Sequence, residues 1–257
     1  MRYSFSRLSC YEGCPFNYYQ RYVIDEQGDG NYWADVGTIM HDILRRIAIG
    51  ELSPDDAPSE FADRYETEVL YETKQSTMDK VYADCMNFLA EYQYEYLDEY
   101  KVVGTEIEVY YKVDGIELLG YIDILLQDKV SGEYIVMDYK SCKPFFGKKG
   151  KLLKAMQSTF DEYKKQMALY CIAVEQLFGS LPSKVMWLHF RDQAITRYEL
   201  SKEDISEAVS WVSDLHKTIL SDEQFLPIKD WFKCQNLCDY RNSCQYLLLD
   251  DTEEEEE

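Results

Sequence analysis

Two acidic residues and a lysine interrupt the most apolar part of this chain. Asp123 stands inside YIDILL, and Asp138 and Lys140 inside YIVMDYK, on either side of the turn-forming residues 129–132. Two apolar runs around a short polar break read as a β-hairpin or strand–loop–strand unit spanning Gly120 to Lys143. Alternation along a strand puts Tyr121, Asp123 and Leu125 on one side of the first strand, and Val136, Asp138 and Lys140 on one side of the second. With the strands side by side in that register, two carboxylates and an ammonium converge. Hard oxygen donors of this kind hold a divalent cation and steady a water beside it. A solvated strand face is the plain alternative. The setting speaks against it, because a charge inside a buried-type run is costly unless paired or metal-bound, and Asp is a poor strand former.

The segment that follows is the one clearly basic stretch. Residues 140–160 hold six lysines (140, 143, 148, 149, 151 and 154) and no acid, with Phe145 and Phe146 among them. A phosphate-gripping loop next to a metal strand needs this composition, so Lys143, Lys148, Lys149, Lys151 and Lys154 are candidates for that role; a solvated lysine loop is the alternative. The chain as a whole carries −21, which opposes phosphate binding. Seven acids and no base lie in residues 250–257, leaving −14 for the rest. That run reads as a disordered solvated tail.

Elements must position these groups. The chain's 257 residues fit one large domain, or a core with a helical insertion. Residues 35–49 make the clearest amphipathic helix: Val36, Ile39, Met40, Ile43, Leu44 and Ile47 form one stripe, closed by Gly50. His41 projects at the edge of that stripe, where a histidine lines a cleft or is an ordinary boundary residue. Tyr11–Val23 reads as one short helix. Residues 53–100 read as two acidic, tyrosine-rich helices in a subdomain or lid, with Met86, Leu89, Ala90 and Gln93 as an apolar stripe. Val102–Lys112 is an alternating strand with Glu106 and Glu108 on one face, and Asp114–Gly115 turns it into Ile116–Leu126. A helix over 160–178, with Tyr163, Gln166, Met167, Tyr170 and Val174 near one face, strands over 184–190 and 195–200, and a helix over 203–220 capped by Ser201 complete an α/β pattern with a mixed sheet.

No apolar run approaches the roughly 20 residues of a membrane span, and the first residues lack the apolar core of a secretory signal. A cytosolic protein is expected, in which the eight cysteines are ligands or buried thiols rather than disulfides. Cys234, Cys238 and Cys244 fall within eleven residues of turn-like composition. Zinc and iron–sulfur sites usually take four thiolates, so a fourth is missing locally, and Cys10 or Cys14 at the far end of the chain are the candidates. Such a cluster would staple both ends together.

Taken together, these motifs resemble the PD-(D/E)XK nuclease superfamily, in the RecB-like branch with a four-cysteine iron–sulfur staple that includes the Cas-four nucleases of CRISPR systems. The resemblance implies a restriction-endonuclease-like core with a mixed central sheet flanked by helices. SFSRLSCYEGCPFNYY matches the family's opening and implies Cys14 as the first cluster ligand, with Cys234, Cys238 and Cys244. GTIMHDIL matches the Gly-x-x-x-His helix and makes His41 a metal ligand. GYIDIL supplies Asp123, MDYK supplies Asp138 and the catalytic Lys140, and QMALY places Gln166 and Tyr170 beside the site. Glu106 falls where relatives carry an accessory acid, and Glu108 is the alternative. The resemblance leaves out residues 53–100 and the acidic tail. The three residues between Cys234 and Cys238, where many relatives have two, and the acidic balance both depart from the family pattern.

The activity this implies is hydrolysis of DNA phosphodiesters with Mg²⁺ or Mn²⁺, held by His41, Asp123, Asp138 and the Tyr139 carbonyl. Single strands or DNA ends are the expected substrate, attacked as an exonuclease in recombination, repair or replication, as in a phage or mobile element. A [4Fe-4S] cluster, or zinc, is expected at the cysteines, and a partner that delivers DNA would reconcile the acidic surface with the substrate. The alternatives are a non-cleaving DNA-binding or recruitment subunit, and a redox or zinc-ribbon interaction protein.

Overall fold

The computed structural model describes residues 2–248; the acidic tail at 250–257 lies outside the described residues. Five strands form one sheet in the order β1 (Tyr100–Val113), β2 (Ile116–Asp128), β3 (Tyr134–Lys140), β4 (Lys184–His189) and β5 (Ala194–Glu199). All neighbours are antiparallel except β3 and β4. The parallel pair needs a crossover, which the helix over Gln157–Phe178 supplies.

The predicted hairpin is present: Ile124 faces Met137 and Leu125 faces Val136 across β2 and β3. Asp114 and Gly115 both take positive φ, 50° and 79°, as a tight turn matching the strand twist requires.

Ten helices are described. α1 (Phe5–Gly13) and α2 (Pro15–Tyr22) replace the single helix expected over Tyr11–Val23. Cys14 is extended, because the residue before a proline is pushed out of the helical region, and Pro15 then opens a new helix at its first position. α3 (Tyr32–Ala48) starts earlier than the apolar stripe, since the Asn31 side chain accepts from Ala34 N–H and caps it. α4 (Ala57–Glu68), α5 (Gln75–Glu91) and the short α6 (Tyr96–Glu99) follow. The buried face of α5 is Val81, Cys85, Phe88 and Leu89; Ala90 is exposed and Gln93 lies past the helix end, which corrects the expected stripe. α7 (Gln157–Phe178) ends at Gly179, whose φ of 75° closes it. α8 (Lys202–Ser221) opens with a capping box between Ser201 and Asp204. α9 (Trp231–Asn236) and α10 (Gln245–Leu248) end the described chain.

Alternate strand residues feed two cores. Leu125, Val136, Val185 and Trp187 pack with α1, α7 and α8 on one face. Ile124, Met137, Met186 and Leu188 pack with α3, α4 and α5 on the other. Residues 53–100 therefore do not stand apart as a lid: Phe61, Val81, Phe88 and Leu89 bury in the same cluster as the α3 stripe and the sheet. Among the described residues, no helix is long and apolar enough to cross a membrane.

Candidate active site

The site forms where α3, from one layer, and α7, from the other, approach β1, β2 and β3. His41 Nδ1 lies 3.3 Å from Asp123 Oδ2. Glu106 joins them from β1, and one ligand-capable atom from each of His41, Glu106 and Asp123 lies within 4.8 Å of the others. Glu106 has a backbone φ of 47°, an uncommon and strained conformation for a residue with a side chain. Glu108, two residues on, accepts a hydrogen bond from the Tyr121 hydroxyl at 2.8 Å, so the two acids are put to different uses.

Extending the β2–β3 register sets Asp138 beside Asp123. Asp138 is buried, and its Oδ2 lies 2.6 Å from Lys140 Nζ. The Lys140 ammonium donates to Gln166 Oε1 at 3.1 Å, and Gln166 Nε2 donates to the Tyr170 hydroxyl at 3.3 Å. The lysine also sits 4.1 Å from the centre of the Tyr163 ring. Tyr139 contributes its backbone N–H, which donates to Asp123 Oδ2 at 2.9 Å, and its ring stands edge-on to His41. The tight donor group thus contains Glu106, while Asp138 is taken up by Lys140 on the α7 side.

The charges bias one another strongly. Burial and the neighbouring Asp138 push the Asp123 carboxyl well above its usual range, against the opposing pull of Lys140 and the Tyr139 N–H. Burial raises Glu106 too, only partly offset by Arg45. Burial holds the His41 imidazole below its usual range although 32% of the side chain is open to solvent; Asp138 pulls it up and Lys140 pushes it down. Burial works against the Lys140 charge, yet Asp138, Tyr163 and Asp123 outweigh it and lift the ammonium above its usual value. Three clustered carboxylates and an imidazole faced by one ammonium leave an excess of negative charge. This donor chemistry fits a hard divalent cation.

A cleft of about 530 Å³ opens over the group, lined by Gly37, Thr38, His41, Asp42, Arg45 and Glu106. Arg45 was not singled out in the sequence, although it follows His41 by one helical turn. Its guanidinium is fixed by Asp42, at 2.9 and 3.2 Å. Tyr163 likewise carried no signal of its contact with Lys140, which depends on how α7 packs against β3.

The family model of the PD-(D/E)XK nuclease superfamily matches residues 2–245. The chain belongs to that superfamily. A crystal structure titled "Putative exonuclease" from Eubacterium rectale superposes on 94% of this chain and 87% of its own with a TM-score of 0.55 and 13% identity, a likeness of fold. Another, titled SSO0001, gives a TM-score of 0.32 at 15% identity, covering 86% of this chain and 87% of its own. No match is found among curated proteins. In this PD-(D/E)XK chain the mixed sheet flanked by helices accords with the superfamily fold expected from the motifs.

The remaining expected residues fall outside this cleft. Cys14, Cys234, Cys238 and Cys244 line one small cavity walled by Phe16, Pro227 and Ile228, although they lie at opposite ends of the chain. Cys10 faces an adjoining cavity, and its thiol donates to Asn17 Oδ1 at 3.2 Å. The two ends are also tied by the Arg21–Asp239 ion pair and by the Tyr240 hydroxyl donating to the Glu26 carbonyl at 2.6 Å. All eight cysteines are free thiols. Lys143, Lys148, Lys149, Lys151 and Lys154 are exposed. Phe145, by contrast, is fully buried against Phe160 and Trp187 and anchors the lysine segment to the core.

Proposed function

We propose that this PD-(D/E)XK nuclease is a metal-dependent deoxyribonuclease acting on single-stranded DNA or DNA ends as an exonuclease. The observation that carries the reading is the meeting of His41, Glu106 and Asp123 within 4.8 Å, next to an Asp138–Lys140 pair at 2.6 Å. His41, Asp123, Glu106 and Asp138, with the Tyr139 carbonyl, would hold Mg²⁺ or Mn²⁺, and the imidazole favours manganese. Held there, such an ion would supply Lewis acidity at the scissile phosphate and favour ionisation of a water.

The side chains do the rest. Lys140, charged and fixed between Asp138 and Gln166, orients the attacking water and offsets negative charge growing on the phosphate. Gln166 and Tyr170 steady the lysine from α7. Arg45, on the cleft wall and held there by Asp42, adds positive charge beside a flanking phosphate. The acidic surface confines DNA contact to the lysine segment and this cleft. The protein works in recombination, repair or replication, with a partner that delivers its DNA.

Cys14, Cys234, Cys238 and Cys244 hold a [4Fe-4S] cluster, with zinc as the alternative occupant. Four soft donors lining one apolar cavity support it. The role is structural, a staple joining the two ends.

The test is digestion of end-labelled single strands, duplexes and circles with Mn²⁺, comparing wild type with Lys140→Ala. Mononucleotide release by wild type, lost in the variant, is expected. Nicked circles would replace exonuclease with endonuclease action. Cleavage by neither protein would leave a non-cleaving DNA-binding subunit, and equal cleavage by both would remove Lys140 and this site from the chemistry.

A further inference from the structure

The sheet ends at β5, whose outer edge meets no further strand among the described residues. Along that edge runs an open groove of about 740 Å³, with Ala194–Glu199 on one side and a small hairpin formed by residues 144–153 on the other. Backbone bonds define the hairpin. Phe146 bridges Leu152, Gly147 N–H donates to the Lys151 carbonyl at 2.9 Å, and Leu153 N–H donates to the Phe145 carbonyl at 2.9 Å. Gly150, with φ 68°, closes the turn and leaves Lys148, Lys149 and Lys151 exposed at the tip.

The two walls are complementary to a polyanion with flat, apolar faces. Lys148 lines the hairpin wall and Arg197 the strand wall, where Arg197 also reaches Glu99 at 3.4 Å and Glu199 is the one acid in the lining. Phe146 and Tyr198 flank the groove, each half-buried and each standing edge-on to Phe160 at 5.2 Å. On a chain of net charge −21, the hairpin wall of this groove comes from residues 140–160, which hold six lysines and no acid. The groove also starts close to the chemistry. His189 pairs with Lys140 on one side and Ala194 on the other, so the near end lies two strands, about 10 Å, from Lys140. Glu199 marks the far end, about 17 Å further along β5.

We propose that this groove is a track for a single nucleic-acid strand entering or leaving the active site. Phosphates lie against Lys148, Lys149, Lys151 and Arg197, and bases lie against Phe146 and Tyr198, the pairing of cations and ring faces used by single-strand binders. An extended peptide added to β5 is the other way to cover a sheet edge, but it has no use for the lysine tip or the two aromatic walls. The track deepens the deoxyribonuclease reading and rests on it for its direction toward Lys140; binding itself is separable from cleavage.

The experiment measures fluorescence anisotropy of labelled oligothymidylate with the Lys140→Ala protein, against the same protein carrying Lys148→Glu with Lys149→Glu, or Arg197→Glu. The account expects a rise of about tenfold or more in Kd for the lysine pair, and a salt slope smaller by about 1.4, at roughly 0.7 per lost phosphate contact. An oligonucleotide carrying 5-iododeoxyuridine should photo-cross-link to Phe146 or Tyr198. An unmoved Kd, or cross-links only elsewhere, would overturn the track. So would hydrogen exchange in β5 that slows with an extended acidic peptide and not with the oligonucleotide, which would assign the edge to a protein partner. Normal binding results from a protein that never cleaves would sink the nuclease reading and leave the track standing. Cleavage by wild type with an unmoved Kd in the variants would do the reverse.

Discussion

Lys140 keeps its charge in a position that would discharge an isolated lysine, because Asp138 lies 2.6 Å away and the Tyr163 ring 4.1 Å away. The ring face contributes through its quadrupole and not through its hydroxyl. Tyr163→Phe should therefore retain kcat, whereas Tyr163→Leu should lower kcat by roughly two- to thirtyfold, the loss of about 0.5–2 kcal/mol. Equal losses in both variants would mean that packing or the hydroxyl matters. In the sequence, Asp123, Asp138 and Lys140 stood out because charges are conspicuous inside apolar runs. Tyr163 did not, because an aromatic on a helix facing a sheet looks like any core residue. Glu106 and Glu108 are indistinguishable by alternation; the left-handed Glu106 backbone, its meeting with His41 and Asp123, and the Tyr121 bond to Glu108 separate them.

At the scale of elements, α7 meets β2 at Gly120. A Cβ there would lie 2.8 Å from a ring carbon of Tyr170, so no side chain fits without displacing the ring. Gly120→Ala should cost about 1–3 kcal/mol of stability through overpacking. It should also reduce cleavage more than it reduces metal binding, because Tyr170 supports Gln166 and, through it, Lys140. Calorimetry alongside a Mn²⁺ titration checks both parts. The start of α8 makes a pH prediction. Although burial opposes its charge, Asp204 is held below its ordinary carboxylate value by Lys164 and by the Ser201 side chain and N–H. Its contribution is therefore present above about pH 3.8 and lost as the pH falls through the lower folded value. Asp204→Asn should lower Tm at neutral pH and flatten the acid limb of the Tm–pH curve; an unchanged limb would contradict the assignment. Element types were largely legible from apolar periodicity, and the Asp114–Gly115 turn from its residue pair. The break at Cys14 follows from Pro15, and the buried face of α5 runs through Val81, Cys85, Phe88 and Leu89 because its phase is set by packing against α3, α4 and the sheet, which periodicity within α5 does not show.

Across the whole molecule, long-range pairings bring the chain ends and the two helical layers together. Cys14 meets Cys234, Cys238 and Cys244 around one cavity, a convergence that spacing alone left open. Cys238→Ala should lower iron and acid-labile sulfide content and reduce Tm, while leaving the Mn²⁺ affinity of the remaining folded protein near that of wild type. Loss of Mn²⁺ affinity with an intact thermal transition would place the cysteines in the chemistry. The layers meet at the cation site, which takes His41 from one side of the sheet and borders Lys140 and Gln166 on the other. The central claim is that one ion is shared there, and anomalous X-ray diffraction from crystals soaked in Mn²⁺ tests it most directly. A manganese peak within coordination distance of His41, Asp123 and Glu106 is the expected result. A well-diffracting soaked crystal with no peak at those three side chains, or with manganese bound only elsewhere, would contradict it.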